Sequence, residues 1–163
     1  MVNKTDLRNI PIFIDKLRYT VNVDYDKTVD ELIKAANFDS ENKFISDKTF
    51  LSTERGRATV DIYMLSFYTS LESKVIIKEI DKHGFHPITL KELLTLAATY
   101  PHIPKTPDGS IVALGSTLLF PYNHLSVPHL FKMFKKRRLE LVWYRGLWTT
   151  SFIFAVVPKN PTP

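Results

Sequence analysis

Cysteine is missing from all 163 residues of the chain. That absence excludes disulfides, thiolate zinc sites and cysteine nucleophiles, and it suits a reducing, cytoplasmic setting. A long apolar run is missing too. The longest charge-free stretch, Gly109 to Phe131, contains Pro121, Asn123, His124, Pro128 and His129, which make it a poor spanning helix, so no membrane partner is expected. The first residues, MVNKTDLRN, are polar and show no secretory h-region. There is no P-loop, no dinucleotide fingerprint, no EF-hand loop and no internal repeat. ALGSTL lacks the second glycine of a serine elbow. Neither a cofactor nor a metal is expected.

What is present points to a globular chain. A length of 163 residues fits one domain, or one domain with a small extension. A chain of this size buries roughly 68–70% of its unfolded surface, so it needs no covalent staples. Hydrophobic residues make up 44% and aromatics 12%, enough for a substantial core. The closing PKNPTP reads as a frayed tail, disordered over 160–163.

The charge is unevenly placed. Between His129 and Trp148 stand Lys132, Lys135, Lys136, Arg137, Arg138 and Arg145 against Glu140 alone. That window holds the whole net charge of +5, and the rest of the chain is neutral. Such a cluster can steer an anionic partner; it also suits a solvated turn between two strands.

Periodicity sorts the chain into elements. Residues 12–24 read as a strand, with Tyr19, Val21 and Val23 alternating against Thr20 and Asn22. Thr28 and Glu31 form a capping box ahead of the stripe Val29, Leu32, Ile33 and Ala36, so a short helix follows. KFISDKTF suggests a short strand, and TVDIYMLSFY a further one. SLESKVIIKEIDKHG reads as a helix capped by Ser70, buried through Leu71, Val75, Ile76 and Ile80, and stopped by Gly84. Thr89 and Glu92 form a second capping box for a helix burying Leu90, Leu93, Leu94 and Ala97 and ended by Pro101. SIVALGSTLLF reads as a strand broken at Gly115, and PYNHLSVPHLF as irregular. RRLELVWYR and TTSFIFAVVPK read as the two strands of a closing hairpin, the second apolar on both faces and therefore central. A boundary near Ser70 divides a β-α-β-β segment, 1–69, from a portion spanning 70–159, unless all is one domain.

HGFHPITLKELLTLAATYP resembles the G-[YW]-[RH]-L-P-[ST]-x-x-E segment of C-type-lectin-fold domains of the formylglycine-generating, sulfatase-modifying group and related bacterial proteins, through Gly84, Phe85, His86, Thr89 and Glu92. IVALGS and the SFIFAVVPK ending are similar to later strands of that fold, so the likeness covers about 84–159. The fold class it implies is α+β: a lectin-like C-terminal half, two helices and then antiparallel strands, behind a small α+β N-terminal segment. The cysteines of that group's oxidases are absent here, as are the Glu-Pro-Asn and Trp-Asn-Asp clusters of calcium lectins. The resemblance therefore implies a platform and argues against both chemistries.

The expected activity is non-catalytic binding of a macromolecule, protein or nucleic acid and of anionic character. The expected surface is the loop Pro121 to Arg138 with the turn Arg145 to Trp148. Lys132, Lys135, Lys136, Arg137 and Arg138 supply exposed cations, Arg145 another, and Tyr144 and Trp148 exposed rings that can stack. Strand parity sends Leu139, Leu141 and Trp143 to the core and Glu140, Val142 and Tyr144 outward. The same basic patch also suits an accessory protein of nucleic acid. An enzyme built on His124 or His129 is the third reading, and the least supported, since histidine is mostly a satisfied polar residue.

Overall fold

The structure, a computed structural model, describes residues 9–105 and 109–160, so residues 161–163 of the expected tail lie outside it. The fold is mixed α+β with more sheet than helix. Strands β1 (Ile12–Ile14) and β2 (Tyr19–Asp24) precede helix α1 (Val29–Ala36). Strands β3 (Ser40–Glu41), β4 (Arg57–Phe67) and β5 (Leu71–Glu72) lead to α2 (Ser73–Lys82). Strand β6 (Phe85–Pro87) then precedes α3 (Leu90–Thr99). The rest is strand: β7 (Ser110–Val112), β8 (Leu118–Phe120), β9 (His124–Met133), β10 (Lys136–Trp143), β11 (Leu147–Trp148) and β12 (Phe152–Pro158).

Both predicted capping boxes form. Thr28 and Thr89 accept from the backbone N–H of Glu31 and Glu92, and each glutamate accepts from the backbone N–H of its own cap residue. Four amide donors that a helix start leaves without partners are satisfied this way. Helix α2 differs from expectation. It starts at Ser73 with Glu72 as its cap, because Leu71 and Glu72 pair as a strand with Leu147 and Trp148. Gly84, at φ +83°, turns the chain out of α2 as expected.

One ten-stranded sheet runs β1-β4-β12-β7-β9-β10-β3, with β2 on β4, β6 on β12 and β8 on β9. Strands from both sides of residue 70 meet in it, since β4 and β12 pair at Leu65–Phe154 and Met64–Ala155. Helices α1 and α3 cover one face with Leu32, Ala36, Leu93, Leu94 and Leu96, above Val21, Ile62, Leu130, Leu139 and Ala155. Helix α2 covers the other with Ile76 and Ile80, against Leu65, Phe154, Val156 and Trp148. Strand β12 therefore buries side chains on both faces, which explains its unbroken apolar run.

Three readings are corrected. The last two strands form no hairpin: β10 pairs with β9 and β3, whereas β12 pairs with β4, β6 and β7. KFISDKTF is not a strand; it forms turns held by Ser46 and Thr49. The segment read as irregular is mostly the ten-residue β9. Pro128 is tolerated there because its pair with Leu141 of β10 is a non-hydrogen-bonded one, so its nitrogen faces the end of β7, where its carbonyl accepts from Ala113 N–H and Ala113 O takes the N–H of Ser116 instead.

Gly115 shows why SIVALGSTLLF breaks. Its N–H donates to Ile88 O at 2.9 Å, bringing the loop against the start of α3. A Cβ there would stand 2.8 Å from Pro87 O and from the Ile88 carbonyl carbon. Both are backbone atoms and cannot swing aside. Gly115→Ala is expected to cost about 2–3 kcal/mol, read as a lower urea midpoint at unchanged slope.

Candidate functional site

The basic window folds as a hairpin, and its parts go in different directions. Met133 pairs with Lys136, so the loop is only Phe134 and Lys135. Their φ angles are 51° and 64°, the left-handed pair of a type I′ turn. Such turns favour Asn-Gly, and a left-handed residue with a Cβ costs about 1–2 kcal/mol. The strand twist demands this turn, and the chain meets it with Phe-Lys. Phe134 stands 87% exposed at the tip.

Three lysines share a hollow with that ring. Lys105, Lys132, Phe134 and Lys135 line a hollow of about 200 Å³, and Lys136 opens β10 beside it. The Lys132 ammonium donates to His102 O at 2.7 Å, which ties this face of the hairpin to the loop after α3. Among the described residues no carboxylate pairs with Lys132, Lys135 or Lys136.

The other predicted cations and rings lie elsewhere. Arg137 is buried, not exposed. It points inward beside Leu139, and its guanidinium donates to Ala36 O, Ala97 O and Ile103 O. Trp148 is likewise buried; its indole N–H donates to Ser73 Oγ at 2.7 Å, and its ring meets Phe152 and Phe154 edge-on. The turn that was to expose it instead folds β11 back onto β5. Tyr144 is half-buried against the second core, and Arg138 is half-buried beside Ser40. Arg145 is exposed, but the length of β10, roughly 25 Å at 3.3 Å per residue, separates it from the tip.

Trp143 reverses its expectation. It has the parity of Leu139 and Leu141, yet it is 62% exposed. The helices that cover this face do not reach the end of β10. Its neighbours form an aromatic group: His124 meets Trp143 edge-on at 4.2 Å, and Phe120, opposite His124, meets Phe44 at 5.3 Å. Phe134, Lys105 and this aromatic end were not among the predicted site residues. The one clue to Phe134 was its place inside the basic window.

The two histidines of the third reading lie apart, His124 against Trp143 and His129 in the core. His129 Nδ1 lies 2.6 Å from Ser110 Oγ, its ring stacks on Phe131, and burial holds its pKa down at about 4, so it is neutral. Ser110 is itself buried, which leaves its hydroxyl no access to a substrate. Among the described residues no three His, Asp or Glu side chains gather as a metal site, and no helix is long and apolar enough to cross a membrane. A cleft of about 370 Å³ lies between Leu51–Glu54, Thr89–Lys91 and Gly115–Thr117. Lys91 does not serve it as a free cation: its ammonium donates to Tyr25 O at 2.6 Å. Glu92, below, accepts from Tyr25 Oη, and burial raises its pKa. No protein family, curated protein or solved structure matches the chain.

Proposed function

We propose that the chain is a non-catalytic binding module whose β9–β10 tip docks an anionic macromolecule. The carrying observation is Phe134, held in a left-handed conformation in solvent and flanked by Lys105, Lys132 and Lys135, with Lys136 opening the next strand. Strain of this kind persists where the surroundings over-determine it and is concentrated at functional sites. An exposed ring among lysines favours single-stranded nucleic acid over an acidic protein, because bases stack on any aromatic face while the cations follow the backbone. The absence of cysteine supports a reducing, cytoplasmic setting. Support for a lectin-like scaffold over 84–159 is limited to the order of Gly84, the Thr89–Glu92 box and the last strand. The closing hairpin it implies is not formed.

Fluorescence anisotropy with short single- and double-stranded nucleic acid across a salt series tests this. The wild type is expected to bind single strands with affinity falling steeply as salt rises. Changing Lys132, Lys135 and Lys136 to Ser should flatten that salt slope. Phe134→Ala should weaken binding about 5- to 160-fold, equivalent to about 1–3 kcal/mol per stacked base, and leave the slope intact. No binding at low salt would remove nucleic acid as the partner.

A further inference from the structure

The loop after α3 stands beside the lysine tip as a second wall. Pro101 has no N–H with which to continue the helix, and Ile103 N–H donates to Tyr100 O at 3.2 Å, so the chain turns at once. That turn leaves the His102 ring exposed. The hairpin fastens the turn through two successive carbonyls. Lys132 Nζ donates to His102 O at 2.7 Å, and Arg137 Nε donates to Ile103 O at 3.2 Å. Tyr100 stands next to the ring and is itself held. Its hydroxyl donates to Thr20 O at 3.0 Å, and its ring meets buried Tyr19 edge-on at 5.0 Å. His102 meets Tyr100 edge-on as well, at 6.2 Å and 82°, so the two rings do not stack and at least one face of His102 is left open. Lys132 thus stands between two exposed rings. Its side chain lines the hollow with Phe134 and Lys105, and its ammonium ends on the His102 carbonyl.

We propose that the His102 turn is a second stacking station for a single-stranded nucleic acid held at the hairpin tip, an inference that rests on the function proposed above. One base lies against Phe134 and a later base against His102, while Lys132 and Lys105 follow the phosphates between them. Charge and ring chemistry together select this occupant. Unpaired bases stack on histidine as they do on phenylalanine, and cations beside the rings take the backbone. A duplex keeps its bases stacked inside and offers neither ring a face. An acidic protein segment would use the lysines but leave the open face of His102 without a role. The station is also formed in advance: the hydrogen bonds to His102 O and Ile103 O fix the turn against the hairpin, so little ordering opposes binding.

His102→Ala gives a direct test, because it removes the ring and keeps the carbonyl that holds Lys132. With an oligothymidylate of about eight nucleotides, followed by fluorescence anisotropy, this change is expected to weaken binding about 5- to 160-fold, the range for one stacked base. The salt slope should stay that of the wild type, since no cation is lost. His102→Phe should restore affinity to within about threefold of the wild type, because a phenyl ring offers the same stacking face. Urea midpoints of both variants should match the wild type, as the position is exposed. If Phe134→Ala weakens binding while His102→Ala stays within about twofold of the wild type, the second station is overturned and the tip remains the site. Equal losses in His102→Ala and His102→Phe also overturn it, for the ring would then not act by stacking. A wild type that binds no strand at low salt overturns this station together with the function it rests on.

Discussion

Arg137→Met is expected to destabilise the protein by about 3–5 kcal/mol, more than any other single change to the basic window. Helices α1 and α3 both end near this side chain, and the last carbonyls of a helix have no partner within it. Arg137 Nη1 donates to Ala36 O at 3.2 Å, Nη2 to Ala97 O at 2.7 Å, and Nε to Ile103 O at 3.2 Å. One cation thus meets the negative ends of two helices and fastens the loop after the second. Its backbone is fixed as well: the N–H donates to Asp39 Oδ2, the C=O accepts from Asp39 N–H, and the guanidinium lies 5.4 Å from the Phe38 ring. Methionine fills much of the same volume but leaves three buried carbonyls without donors. Arg137→Lys should recover less than half of the loss, because an ammonium cannot present a planar fork to three separate acceptors. Urea unfolding followed by circular dichroism reads both values. A loss below about 1 kcal/mol for Arg137→Met would show that water reaches those carbonyls and that the side chain is not the joint between the helices.

The second large effect is on pH dependence. Burial lowers the His129 pKa from 6.5 to about 4, so the folded protein resists protonation there while the unfolded chain accepts a proton at its ordinary value. Below pH 6.5 the unfolded state binds more protons than the native state, so stability falls as pH falls. The loss begins near pH 6.5, is complete near pH 4, and reaches about 3 kcal/mol at 1.36 kcal/mol per pH unit. In His129→Phe that part of the slope should vanish between pH 4 and 6.5, even if the variant is less stable overall because Ser110 loses its partner. Thermal unfolding of both proteins across this range decides it. Parallel curves would mean that His129 is protonated in the folded state and open to solvent.

These two residues also mark the limit of sequence reading. The capping boxes at Thr28 and Thr89, the stop at Gly84 and the two-faced apolar run of β12 were all legible, because each depends on residues close together in the chain. Arg137 was read as one of five exposed cations, for nothing within ten positions shows that Ala36, Ala97 and Ile103 arrive beside it. Trp143 and Trp148 exchanged places for the same reason. Alternation predicts which side of a strand a residue occupies, but a face is a core only where another layer covers it. Helices α1 and α3 stop short of Trp143, and β5 closes over Trp148. The hairpin was misassigned because Phe-Lys is not turn chemistry and Pro121 and Pro128 suggest a loop. Local composition by itself determined the helices, the concentration of positive charge and the exclusion of thiol chemistry. Tertiary structure alone decided which cations remained at the surface: a charged side chain is buried where distant backbone groups converge to bind it, and that convergence is a property of the whole sheet.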